Sequence, residues 1–194
     1  MGRIKSALEI ALERTSDIQT GKSSINHYDA KQRGKKFANE YLEDSEKNIT
    51  DFINQCPAEQ CQSLKRGLFE IFISQINLPV SQADEKRIAN AGKGLAAVIN
   101  NSRFNAMFKH LRQILSQYME EASQYEELLK KQYAPKLRQK EEELSRRLGR
   151  QLRIDPFQDP EFIAFFNQNI NALKANYQNA INEFREETQR FFEE

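Results

Sequence analysis

Apolar residues recur three and four apart along most of the chain, the spacing of a helix face rather than of a strand. From about residue 3 to 19, Ile4, Leu8, Ala11, Thr15 and Ile18 share one stripe, while Lys5, Glu9, Glu13 and Arg14 lie off it. Gly21 reads as a C-terminal stop and Lys22-Ser23-Ser24 as a short linker. A second helix is expected over about residues 26–55, carried by Phe37, Ala38, Tyr41, Leu42, Ile49, Phe52 and Ile53 and ended by Pro57. A third, about 57–78, starts with Pro57 at its first position. Leu68, Phe69, Ile71, Phe72, Ile73 and Ile76 spread around most of its circumference, the mark of a buried helix. A fourth begins at Ser81 or Asp84, either of which can cap it. It carries Ile88, Leu95, Val98 and Ile99, and Asn100-Asn101-Ser102 breaks it.

The fifth segment is the longest. Phe104, Phe108, Leu111, Leu115, Tyr118, Ala122, Tyr125 and Leu129 alternate steps of four and three, a heptad seam. The spacing then changes through Leu129, Tyr133 and Leu137, and Pro135 removes a backbone donor, so a kink is expected near residues 131–135. Leu144, Leu148 and Leu152 resume the stripe. Residues 153–160 form a turn, and Asp159-Pro160-Glu161 supplies a cap, a first-position proline and an acid at the positive end of the helix dipole. The sixth segment carries Ile163, Phe166, Ile170, Leu173, Tyr177, Ala180 and Phe184. Two long seams joined by a short turn fold most simply as an antiparallel pair. Such a fold sets Leu152 near Ile163, Leu144 near Ile170 and Leu129 near Phe184, and leaves residues 104–118 to dock on segments two to four.

The expected fold is therefore all-α: a small helical bundle base with a long, coiled-coil-like antiparallel helical hairpin. The division is residues 1–25 as an N-terminal amphipathic helix and linker, 26–102 as the base, and 103–194 as the hairpin packed on it. Composition agrees. Of 194 residues only 7 are Gly and 5 Pro, too few turn residues for a dinucleotide fold, sandwich or barrel. No apolar run approaches the ~18 residues of a membrane span, and Glu9, Glu13 and Asp17 interrupt any signal-peptide core. Two cysteines make no disulfide scaffold, so a reducing cytoplasm is the expected location.

Candidate chemistry is sparse. Cys56 and Cys61 flank Pro57, but the only histidines, His27 and His110, are far along the chain, so the spacing of a structural zinc site is missing. Small buried thiols fit better. A Cys56–Cys61 disulfide is excluded within a regular helix but allowed by a non-helical turn at Pro57. Gly92-Lys93-Gly94 lacks the P-loop pattern and reads as close helix contact or a weak point in the helix. No Gly-x-Ser-x-Gly elbow exists to pair a serine with either histidine. Glu141-Glu142-Glu143 beside Arg146 and Arg147 reads as a salt-bridged surface. Residues 136–153 carry seven basic and three acidic groups, and the last twelve residues five acidic and two basic. The whole chain has a net charge of +1, which disfavours nucleic acid as the main partner. The opening Met1-Gly2-Arg3-Ile4-Lys5-Ser6 fits the short myristoylation pattern, a match that arises often by chance.

Three stretches are familiar together: Arg3-Ile4-Lys5-Ser6-Ala7-Leu8-Glu9-Ile10-Ala11-Leu12-Glu13-Arg14-Thr15, Tyr133-Ala134-Pro135-Lys136-Leu137-Arg138-Gln139-Lys140-Glu141, and Asp159-Pro160-Glu161-Phe162. The chain resembles an uncharacterised family of bacterial all-helical proteins over nearly its whole length, the opening run being the most specific part. The resemblance implies a bacterial cytosolic protein. It carries no activity, cofactor or site residue to transfer.

The function expected from these features is a non-catalytic scaffold or adaptor acting through helix–helix contacts with a protein partner or a second copy. The contact residues expected are Ile4, Leu8, Leu12 and Ile18 on the first helix and Arg146, Arg147 and Arg150 on the basic stretch. No catalytic residue, metal ligand or cofactor is expected. The alternative is association with nucleic acid or an anionic surface through residues 31–36 and 136–153. A ligand pocket near His110 or Cys61 ranks last.

Overall fold

The computed structural model describes the backbone of residues 7–194 and the side chains of residues 24–194. The described residues form six α-helices and no strand: α1 (Ala7–Glu43), α2 (Ile49–Asn54), α3 (Ala58–Ser74), α4 (Gln82–Ile99), α5 (Ser102–Leu148) and α6 (Pro160–Glu193), with one 3-10 turn at Pro156–Gln158. The fold is all-α. None of the described helices is long and apolar enough to cross a membrane.

Two expected boundaries are corrected. The first helix does not stop at Gly21, nor do residues 22–24 form a linker: α1 runs unbroken to Glu43. A glycine inside a helix costs only about 1 kcal/mol relative to alanine, which helix formers on either side offset. The second expected helix is in turn divided. Asn48 sits in extended geometry and its side chain accepts hydrogen bonds from Thr50 N and Asp51 N at 3.0 and 3.2 Å, which starts α2 afresh. Other signals hold. Ser81 and Asp84 form a reciprocal cap on α4, Asp84 N donating to Ser81 Oγ at 3.3 Å and Ser81 Oγ to Asp84 Oδ2 at 2.9 Å. Asn100 takes a left-handed φ of 51° and ends α4. Pro135 lies inside α5 without ending it.

The chain divides into two compact units. One holds the described residues up to Ile76, Glu85–Phe104 and Glu194; the other holds Asn77–Asp84 and Asn105–Glu193. In the first, α1 lies directly on α3. A Cβ on Gly34 would stand 2.2 Å from the Leu64 carbonyl oxygen, and one on Gly67 would stand 2.1 Å from that of Lys31. The two backbones touch where both helices lack side chains. Around this crossing, Ala30, Ala38, Leu64, Leu68 and Phe72 are buried. The Phe72 ring meets Tyr41 edge-on at 5.7 Å and occupies the space beside Gly94 of α4, so close helix contact, not a P-loop, explains that glycine. Lys31 and Lys35 both reach Glu70, at 2.7 and 2.9 Å. Burial disfavours the Glu70 carboxylate, but these two hydrogen bonds outweigh it and hold its pKa below the ordinary value.

In the second unit, α5 and α6 meet with opposite chain direction. Phe108 contacts Phe184 at 6.0 Å between ring centroids, Tyr118 contacts Tyr177 at 5.1 Å, and Tyr133 contacts Phe162 at 5.2 Å. This register differs from the one expected. Ile170 lines a cleft with Ala122, Ser123 and Glu126 instead of meeting Leu144, and Phe184 meets Phe108 instead of Leu129. The offset is some 20 residues, or about 30 Å along a helix. Phe108 and Tyr118 face α6, through Phe184 and Tyr177. The connection between the helices takes up the offset. It folds back on α5 itself, Leu152 N donating to Ser145 Oγ at 3.1 Å and Ile154 N to Glu141 Oε1 at 2.8 Å. The last turns of α5 therefore have no counterpart on α6.

Candidate functional site

The densest set of ionisable groups in the second unit closes α5 onto the start of α6. Tyr133, Lys136 and Lys140 lie on one face of α5, three to four residues apart. Asp159 caps α6, accepting from Glu161 N at 3.0 Å through Oδ1. The same buried carboxylate accepts from Lys140 Nζ at 2.7 Å and from Tyr133 Oη at 3.1 Å. Glu161 takes the other side, 2.6 Å from Lys140 Nζ and 3.0 Å from Lys136 Nζ. Behind them Tyr133, Leu137 and Phe162 form an apolar cluster joined by Ile154, Phe165 and Phe166.

The electrostatics follow from the pairing. Hydrogen bonds from Lys140 and then Lys136 hold the Glu161 carboxyl down to about 2. Lys140 holds Asp159 below its ordinary value as well, against the effect of burial. Hydrogen bonds to Asp159 and Glu161 push Lys140 well above the usual lysine range. Burial, followed by the hydrogen bond to Asp159, raises Tyr133. Each lysine of the set is met by at least one carboxylate, and each carboxylate by at least one lysine. The geometry is that of a clamp. Its parts come from the two downstream stretches that carry the family resemblance, 133–141 and 159–162, which the fold brings into contact. Asp159 is legible in the sequence as a cap, but its pairing with Tyr133 and Lys140 is not. The available signal was a tyrosine and a lysine seven apart, on one face, on a helix running antiparallel to an acidic helix start.

The expected contact residues divide. Ile4, Leu8, Leu12 and Ile18 lie outside the described side chains. Arg146, Arg147 and Arg150 are all exposed at the end of α5 and just past Gly149, whose φ of 66° turns the chain out of the helix. Arg146 makes one loose ion pair, 3.8 Å to Glu142 with both side chains largely in solvent. Leu144 and Leu148, on one face one turn apart, are 36% and 55% exposed. Arg153 is exposed on the returning segment of chain. The result is an apolar ridge framed by arginine. The other basic stretch differs, since Lys31 and Lys35 are engaged by Glu70.

The remaining candidates are modest. His110 lines an open cleft of about 310 Å³ with Met107, Leu111, Ile114, Glu183, Phe184 and others. His27 Nδ1 lies 3.2 Å from Ser63 Oγ, a contact that the sequence analysis does not anticipate and that ties α1 to α3. Cys56 and Cys61 are free thiols, partly buried. Among the described residues, no group of His, Cys, Asp and Glu is arranged to hold a metal ion.

A family model described as a family of unknown function (DUF6657) matches residues 50–190. The match takes in the clamp and the arginine-framed ridge and leaves out the opening run 3–15. Comparison with curated proteins and with solved structures gives no match. The chain belongs to this family of unknown function.

Proposed function

We propose that this member of the DUF6657 family is a non-catalytic adaptor that binds a protein partner through the end of α5. The observation that carries the reading is the ridge of Leu144 and Leu148 framed by Arg146, Arg147, Arg150 and Arg153. Isolated exposed leucines are ordinary on a protein surface, but two on one helix face inside a cationic frame suit an amphipathic helix with an acidic flank. Arginine adds bidentate pairing to carboxylates, which sets orientation as well as charge. The charge pairing in the clamp supports the non-catalytic reading, because Lys140 is met by both Asp159 and Glu161. The clamp then serves to hold the ridge in place, joining α5 to α6 directly before the ridge begins. A bacterial cytosolic setting follows the family resemblance of the sequence.

The second reading, association with an anionic surface, draws on the same arginines. One experiment separates the two. The chain, its Leu144→Asp/Leu148→Asp variant and a variant with Arg146, Arg147 and Arg150 changed to Gln are used to capture proteins from a lysate of the native cell. They are also titrated with anionic phospholipid vesicles and with RNA. The adaptor reading expects one protein captured in stoichiometric amount by the wild type and lost with either variant. Steeply salt-dependent binding to vesicles or RNA that survives the leucine changes would replace it with the surface reading. Capture unaffected by both variants would remove the ridge from the account.

A further inference from the structure

The junction between α2 and α3 sets two thiols in a defined relationship. Pro57 is the N-cap of α3, with extended backbone at φ −55° and ψ 139°, and Ala58 is the first helical residue. Counted from that cap, Cys56 precedes it by one position and Cys61 is the fourth residue of the helix. These are the two positions whose side chains meet over the first turn of a helix, where an apolar pair commonly fixes the angle at which the chain enters. Here both positions hold sulfur.

The backbone keeps this geometry from both sides. Cys56 N donates to Ile53 O at 3.1 Å, closing α2, and Gln60 N donates to Pro57 O at 2.9 Å, opening α3. Proline fixes φ between them. Five residues apart within one helix, two cysteines point in different directions; the extended residue at Pro57 changes that. Both thiols are free and only partly buried, so a small reagent can reach them. Burial, and then the proximity of Cys61, raise the Cys56 thiol above its ordinary pKa, while Arg33 of α1 acts in the opposite sense.

We infer that Cys56 and Cys61 form a reversible intrachain disulfide across the first turn of α3, with a small-molecule disulfide such as oxidised glutathione as the oxidant. One cysteine thiolate attacks a sulfur of oxidised glutathione, forming a mixed disulfide and expelling one glutathione thiolate. The other cysteine thiolate attacks the protein-side sulfur, forming the Cys56–Cys61 bond and expelling the second. Two protein thiols are oxidised, one glutathione disulfide is reduced to two thiols, and the two protons leave on those thiols. The bond joins the residue before the cap to the fourth residue of the helix, across the first turn of α3.

The test equilibrates the full chain with mixtures of reduced and oxidised glutathione, in buffer and in concentrated urea, followed by acid quench, alkylation and peptide mass analysis. The expected product in buffer is a chain lighter by two hydrogens with Cys56 and Cys61 joined. Its formation constant should exceed that in urea by about ten-fold or more, because the fold holds the sulfurs together. Cys56→Ser and Cys61→Ser chains should each stop at a single glutathione adduct. The inference is overturned if the wild type carries separate adducts on both cysteines, if it links into dimers instead, or if buffer offers no advantage over urea.

Discussion

Gly34 of α1 and Gly67 of α3 each stand where the other helix's backbone leaves no room for a methyl group: the added Cβ would lie 2.2 Å from Leu64 O and 2.1 Å from Lys31 O, respectively. Backbone cannot rotate aside as a flexible side chain can. Gly34→Ala or Gly67→Ala should therefore force the helices apart and cost about 3 kcal/mol or more, despite the better intrinsic helix propensity of alanine. Urea unfolding read by circular dichroism checks this. An unchanged or raised midpoint would mean the helices are not in backbone contact.

Asp159 closes the α6 end three ways, through Glu161 N, Lys140 Nζ and Tyr133 Oη. Replacing it with alanine removes the cap and leaves a buried tyrosine hydroxyl with its main acceptor gone. The expected loss is about 2 kcal/mol. Asp159→Asn can keep the cap and should lose less, the difference reporting the lysine pairing. Thermal unfolding of the two variants measures both.

The clamp also sets a dependence on pH. Glu161 is held down to about 2 from 4.5, so its contribution is fully present above 4.5 and is lost as pH falls toward 2. Asp159, also lowered, acts with the same sign. Glu161→Gln should unfold at lower temperature than the wild type at neutral pH, and the gap should close as the buffer is taken down through this window. A gap that is constant with pH would show that Glu161 is not paired in the fold.

The leucine ridge is expected to contribute little to folding. Leu148→Asp, at a side chain 55% exposed, should cost no more than about 1 kcal/mol, and Leu144→Asp, at 36%, no more than about 1.5 kcal/mol. Calorimetry of the single variants checks this, and a large loss would make the ridge part of the core.

Local signals made much of the helical architecture legible. Ser81 with Asp84, Asn100, and Asp159-Pro160-Glu161 mark helix ends by chemistry that acts within one turn, and the structure uses each of them. The Asn48 cap carries the same kind of signal within a stretch whose apolar spacing suggests one continuous helix. The register of α5 against α6 was not legible for a different reason. A seam that repeats every three or four residues matches its partner almost equally well after any whole-heptad slide, so apolar pattern alone cannot choose among registers. The polar contacts of Tyr133 and Lys140 with Asp159 and Glu161 do choose. Nor does any pattern of side chains announce Gly34 and Gly67, whose role is to be absent where two backbones meet. At the candidate site, charge alone marked Arg146, Arg147 and Arg150. That Leu144 and Leu148 are left uncovered depends on the fold-back at Ser145 and Glu141.

In the proposed function, the end of α5 is the surface by which this protein is held by another. A photo-crosslinking residue placed at position 148, and in separate chains at Leu128 and Val80, both also exposed, measures it most directly inside the native cell. The expected result is one dominant adduct, to a protein with an acidic helix, from position 148 and none in common from the other two. Adducts spread equally over all three positions, or arising from 128 or 80 and not from 148, would contradict it.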